Sequence, residues 1–179
     1  PIVCVALEQS NIGCAILTET RLTNDIHTHK CQGYSIFATY TTTQNQGGIA
    51  LVYRDDAKNW HVESEQRHGP NVLSCVLVSG GIKTAIIGAY LPPNSLEDLP
   101  YLTEALDRFP TMNPVLLGGL NVDLEKTTVP RSNSVSSLLA LYGLLDMVKQ
   151  FKQRRNHLDC TTWHQNRNGN TYTSRRCLS

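Results

Sequence analysis

Apolar residues recur in short runs separated by glycine, proline and asparagine, the pattern of many strands joined by tight turns. Residues 3–10 read as the end of a helix. Ile12-Gly13-Cys14-Ala15-Ile16-Leu17 is apolar throughout, as a strand covered on both faces must be, and it stops at Thr18-Glu19-Thr20. Residues 34–40 and 49–53 flank the turn-rich Gln44-Asn45-Gln46-Gly47-Gly48 and predict a hairpin. Residues 60–66 alternate, and 72–78 are apolar. Ser79-Gly80-Gly81 supplies a turn, after which 82–90 returns until Pro92-Pro93 forbids continuation.

Helical signals are fewer. Ser95 can cap a helix over 96–108, with Glu97 and Asp98 near the positive end of its dipole, although Pro100 predicts an irregular start. Pro114-Val115-Leu116-Leu117 reads as a short buried strand ending in Gly118-Gly119-Leu120-Asn121. A second helix over 134–142 is terminated by Gly143. The tail predicts strands over 160–164 and 171–174, joined through Asn168-Gly169. No repeat or low-complexity linker interrupts the chain, so residues 1–179 read as a single domain. Hairpins mixed with helices that follow buried strands predict a two-sheet α/β sandwich.

Composition narrows the class. With 179 residues, 40% hydrophobic and 17% charged, the chain can bury a substantial core, and disordered or fibrous readings are excluded. No apolar run approaches the ~20 residues that cross a bilayer, and the opening residues lack a basic segment before a hydrophobic one. Neither membrane insertion nor secretion is therefore expected. The six cysteines form no C-x-x-C pair and several sit in apolar runs, which suits a reduced, intracellular compartment, the nucleus included. His27-x-His29-x-Cys31 would place three ligand types on one side of an extended segment, but no fourth ligand is evident, and a solvated loop is the simpler reading.

Charge is unevenly distributed. Residues 1–148 carry 9 Lys/Arg against 14 Asp/Glu, whereas 149–179 carry 7 against 1, so a net charge of +1 conceals about −5 and +6. Arg154, Arg155 and Arg175 lie in this basic stretch with Trp163 and Tyr172, a combination suited to a phosphate backbone with an aromatic ring available for a base or sugar. A solvated rim is the alternative.

Polar groups that close an apolar strand stand at a sheet's rim, where active sites gather. Two such ends carry carboxylates, Glu19 after Leu17-Thr18 and Asp123 after Leu120-Asn121-Val122, and a third is Gly88-Ala89-Tyr90-Leu91-Pro92-Pro93. Mg²⁺ needs one or two carboxylates, completed by water and phosphate oxygens. Taken with Gly47-Gly48-Ile49-Ala50-Leu51, Gly118-Gly119-Leu120-Asn121 and Thr162-Trp163, these segments resemble, in order and spacing, the endonuclease/exonuclease/phosphatase superfamily. His68-Gly69-Pro70-Asn71-Val72 and Leu116-Leu117-Gly118-Gly119-Leu120-Asn121-Val122-Asp123-Leu124 are most similar to the DNA-nicking endonuclease domain of non-LTR retrotransposons. The resemblance implies a DNase I-like, four-layer α/β/β/α sandwich of two mixed sheets and Mg²⁺- or Mn²⁺-dependent hydrolysis of a phosphodiester. It implies DNA as partner, with no membrane and no obligate protein partner. It makes Glu19 the metal ligand, Tyr90 a support for the scissile phosphate or metal water, and Asn121 the group that orients the phosphate. Arg21 would touch the DNA backbone.

The departures from the family pattern matter as much. Where the family has Gly-Asp-x-Asn, this chain has Gly118-Gly119-Leu120-Asn121, so the carboxylate expected to work on the water or metal is a hydrogen atom. Losing a general base costs about 10²- to 10⁴-fold in rate. Against the family pattern the chain also begins within the helix after the first strand and stops at Thr173-Ser174-Arg175-Arg176-Cys177-Leu178-Ser179. The resemblance therefore implies a domain without its first and final strands and without the polar groups they carry; a carboxylate at 119 would return one of four. The implied function is that of a retrotransposon-type endonuclease impaired in catalysis. The alternatives are a phosphatase-like protein acting on small phosphoesters or phosphoinositides, or a residual nucleic-acid-binding module.

Overall fold

The apolar runs and glycine-rich turns form two four-stranded sheets packed face to face. The structure, a computed structural model, describes residues 2–23, 29–31, 33–41, 47–124 and 128–147. Helix α1 (Ile2–Gln9) leads into β1 (Cys14–Thr18), β2 (His29–Cys31), β3 (Tyr34–Ala38) and β4 (Ile49–Arg54), which form one sheet in the order β1-β4-β3-β2. Strands β5 (Trp60–Gly69), β6 (Val72–Ser79), β7 (Ile82–Tyr90) and β8 (Val115–Gly119) form the second in sequence order. Helix α2 (Leu99–Asp107) connects β7 to β8, and α3 (Pro130–Leu141) follows. All these elements lie in a first compact unit, residues 1–142; residues 143–179 make a second, described over 143–147.

The first sheet is antiparallel throughout, with register pairs such as Ile16↔Leu51 and Phe37↔Leu51. The second is mixed. Only β7 and β8 run parallel, Tyr90 opposite Gly119, because only they are joined by a helical crossover. Phe37, Ile49, Leu51, Leu73, Cys75 and Ile86 fill the space between the sheets. Cys4 and Leu7 of α1 pack with Tyr34 and Val52 on the outer face of the first sheet. Leu102, Ala105 and Leu106 of α2 are buried, and the helix lies on β5, β6 and β7. Each fully buried Leu or Ile contributes about 1.5–3 kcal/mol, so the strand ends stand on a rigid floor. The layers are therefore helix, sheet, sheet, helix.

Several predicted features need correction. The 12–17 segment does send Cys14 and Ile16 to the inter-sheet core and Ala15 and Leu17 toward α1, as a strand covered on both faces should. It is nevertheless half-buried along its length, because β1 is a sheet edge among the described residues. The predicted buried strand at 114–117 is likewise an edge, with Val115 and Leu117 exposed, and it runs on through Gly118 and Gly119. The helix expected over 96–108 opens at Leu99, since Pro100 in its first turn lacks an N–H and would collide with a helical carbonyl at 96. Ser95 does not cap it; its Oγ accepts from Glu97 N at 3.1 Å in a separate turn. The helix expected at 134 begins instead with Pro130, whose fixed φ suits a first turn. Gly143 follows it at φ +64°. His27, Thr162-Trp163, the tail strands and Arg154, Arg155 and Arg175 lie outside the described residues. The described cysteines, Cys4, Cys14, Cys31 and Cys75, are free thiols, and no described helix is long and apolar enough to cross a membrane.

Candidate functional site

Strand β1 packs against β7 and β8 across the two sheets, which brings three C-terminal strand ends to one rim. Glu19 follows β1, Tyr90 ends β7 and Asn121 lies two residues beyond β8. The three residues that the sequence singled out are brought together there. The Tyr90 hydroxyl lies near enough to the Glu19 carboxylate and the Asn121 side chain for both to act on its proton. Asn121 Nδ2 also donates to Leu91 O at 3.0 Å, and Leu91 N donates to Gly119 O at 2.9 Å, which fixes the β7 and β8 ends to each other. Arg21 stands beside Glu19, Nη2 to Oε2 3.5 Å, with both side chains about half-exposed.

The backbone here is unusual. Glu19, Arg21 and Asn121 all have left-handed φ, at 56°, 54° and 49°. Asparagine tolerates this conformation, but for Glu19 and Arg21 it costs about 1–3 kcal/mol each and persists only where neighbours enforce it. The enforcing partners are the carbonyls of Gly48 and Gly47, which accept from Thr20 N at 3.3 Å and Arg21 N at 3.0 Å.

Position 119 adjoins Tyr90 at the end of β8. A Cβ placed on Gly119 would lie 3.4 Å from Tyr90 Cδ2 and 3.9 Å from Thr18 Oγ1, so it would face both sheets in ordinary contact distance. At Gly118, by contrast, φ is +134° and a Cβ would overlap the Ala89 carbonyl oxygen.

Tyr90 is buried, and its phenol is pushed up to about 12, first by burial and then by the bond to and charge of Glu19, against smaller opposing effects of Arg21 and Asn121. It therefore keeps its proton at neutral pH and can donate. With metal chelated, residue-specific ring NMR should find Tyr90 titrating near 12, and Glu19→Gln should lower it only in part, because burial remains. A phenol raised in the folded state gives stability that is complete below its ordinary value of 10 and is lost as pH rises toward 12. Tyr53, also pushed to about 12 by burial beside Glu65, shares that window, so a bulk absorbance titration would not separate the two.

The donor set is oxygen throughout: a carboxylate, a phenol and an amide. It suits a hard cation such as Mg²⁺ or Mn²⁺, completed by water and a substrate phosphate, and does not suit zinc. Among the described residues no three His, Cys, Asp or Glu side chains cluster.

Sequence reasoning missed three contributors. Thr18 faces position 119 from the opposite sheet. Arg131, on α3, donates to the carbonyls of Ser95, Leu91 and Leu120 and so ties the loops after β7 and β8 together. Asn71, quoted within a motif but given no role, bonds to Gly48 and Asp98. None carries a local signal, because each acts on residues distant in sequence.

Comparison with known proteins bears on the fold. No protein-family model matches the chain, and no curated protein matches it at a significant level. Solved structures do. The endonuclease domain of TRAS1, a telomere-specific non-LTR retrotransposon, superposes with a TM-score of 0.64 at 13% identity, covering 90% of this chain and 70% of that one. The AP endonuclease LMAP from Leishmania major gives a TM-score of 0.70 at 14% identity, covering 92% and 67%. An AP endonuclease from Archaeoglobus fulgidus gives 0.57 at 16% identity, covering 93% and 73%.

Proposed function

We propose that this chain, which has the DNase I-like fold of the endonuclease/exonuclease/phosphatase superfamily, derives from a divalent-metal-dependent phosphodiesterase acting on DNA and is impaired in catalysis. The observation that carries the reading is the meeting of Glu19, Tyr90 and Asn121 at three strand ends, with Gly119, against the Tyr90 ring, having room for a side chain and lacking one. Glu19 would hold Mg²⁺ or Mn²⁺, which would supply electrophilic stabilisation of charge on the phosphate. Tyr90, protonated at neutral pH, donates to a phosphate oxygen, and the Asn121 amide orients the same group. Arg21, half-exposed beside Glu19, meets the nucleic-acid backbone. Attack by water then leaves a proton with no acceptor at position 119. The DNA-processing enzymes among the structural neighbours and the charge of residues 149–179, 7 Lys/Arg against 1 Asp/Glu, support a nucleic-acid ligand over a small phosphoester.

Mn²⁺ titration by water-proton relaxation, paired with binding of a labelled DNA duplex, tests this reading. Glu19→Gln should weaken Mn²⁺ binding about 10-fold or more, as loss of a charged carboxylate ligand requires. Duplex affinity should fall steeply with salt and weaken when Arg154 and Arg155 are both alanine. Equal Mn²⁺ affinity in the Glu19→Gln protein, or hydrolysis of an inositol phosphate with no affinity for DNA, would overturn it.

A further inference from the structure

We propose that Asn71 is a positioning residue of this site, holding the Glu19–Arg21 turn against the Tyr90 strand, with Asp98 fixing the orientation of its amide. Because it concerns the reach of Glu19 toward a metal, the inference rests on the reading above.

Asn71 lies between β5 and β6, away from the rim in sequence, yet it contacts both walls of the cluster. Its Oδ1 accepts from Gly48 N at 2.7 Å, and Gly48 O in turn accepts from Thr20 N. Its backbone carbonyl accepts from Tyr90 N at 2.9 Å. One residue thus links the turn that carries Glu19 to the strand that carries Tyr90.

The amide cannot rotate to serve these partners in another way. Gly48 N–H can only donate, so the Asn71 oxygen must face it, and Asn71 Nδ2 is left to donate to Asp98 Oδ2 at 2.8 Å. Asn71 is 6% exposed and Asp98 4%, so water does not compete for these bonds. Gly48 has no slack either: φ is +84°, and a Cβ there would meet Thr20 Oγ1 at 2.5 Å, so the turn lies directly on the backbone that Asn71 holds. The left-handed conformations of Glu19 and Arg21 need such an anchor, since the bonds that enforce them come from Gly47 and Gly48. A buried Asn–Asp pair that only filled space would not need this directionality.

The test combines amide hydrogen exchange without metal and Mn²⁺ affinity, on the full chain, for Asn71→Leu, Asp98→Asn and Asp98→Ala. Asn71→Leu should speed exchange at Thr20, Arg21 and Gly48 at least tenfold while amides within β6 keep their protection. It should also weaken Mn²⁺ binding by about 10- to 100-fold, the usual effect of removing a group that orients a metal ligand. Asp98→Asn, which still offers an oxygen to Asn71, should stay near wild type in both, and Asp98→Ala should move toward Asn71→Leu. A folded Asn71→Leu protein with unchanged exchange at 20, 21 and 48 would overturn the inference. If that variant does not fold, the alanine and asparagine variants at 98 decide: equal protection in both contradicts it, and loss in alanine alone supports it. Should the wild-type chain bind no Mn²⁺, the metal reading fails while the exchange measurement still judges the positioning.

Discussion

Alanine at position 118 should destabilise the fold by about 2–6 kcal/mol, the sum of a backbone conformation reserved for glycine and an overlap that the core must absorb. Alanine at the adjacent position 119 should cost about 1 kcal/mol or less, because its Cβ meets only ordinary contacts and its φ is not in the left-handed region. The same chemical change at neighbouring residues thus gives opposite outcomes. At Gly118 the new methyl group is driven into the Ala89 carbonyl of the parallel partner strand, where the register pairs Ala89 with Gly118. Backbone cannot move aside there without breaking the β7–β8 ladder. The bend at Gly118 is also what turns position 119 toward Thr18 and Tyr90. Thermal unfolding followed by circular dichroism should show a midpoint lower by roughly 5–20 °C for Gly118→Ala in a chain of this size. A Gly118→Ala midpoint as high as that of Gly119→Ala would contradict the close approach of β8 to β7.

The strand-and-turn pattern of residues 34–90 could be read in advance because it is local: alternation, apolar runs and glycine pairs act within a few residues. The hairpin β3–β4 and the β6–β7 pair form where Gly47-Gly48 and Gly80-Gly81 mark them. What failed was decided by neighbours in space. Val115 and Leu117 look like core residues in sequence, and they are exposed because β8 pairs with β7 alone among the described residues. The start of α3 was misplaced because Pro130-Arg131-Ser132-Asn133 shows no apolar stripe; proline geometry opens that helix, and Arg131 is spent on three loop carbonyls. Glu19, Tyr90 and Asn121, which the sequence marks by strand ends and motif order, do come to one rim. Asn71 is not so marked, because its partners lie 23 residues before it and 27 after it.

The central claim is that the cluster keeps an anion for a metal and has lost the group that takes the proton from water. A carboxylate introduced by Gly119→Asp would enter the space between Thr18 and Tyr90, with no left-handed backbone conformation to oppose it. A general base contributes about 10²- to 10⁴-fold, and a second carboxylate would also strengthen the hold on a divalent ion. Asparagine at 119 matches aspartate in shape but cannot serve as the base, so it separates chemistry from packing. Nicking of supercoiled plasmid in Mg²⁺, under single-turnover conditions, measures this directly. The account predicts that the wild-type chain and Gly119→Asn nick no faster than Glu19→Gln, and that Gly119→Asp, which returns one of the four polar groups, does not restore full cutting, any gain being abolished by Glu19→Gln or a chelator. Metal-dependent nicking by the wild-type chain that disappears in Glu19→Gln, or full cutting restored by Gly119→Asp alone, would contradict it.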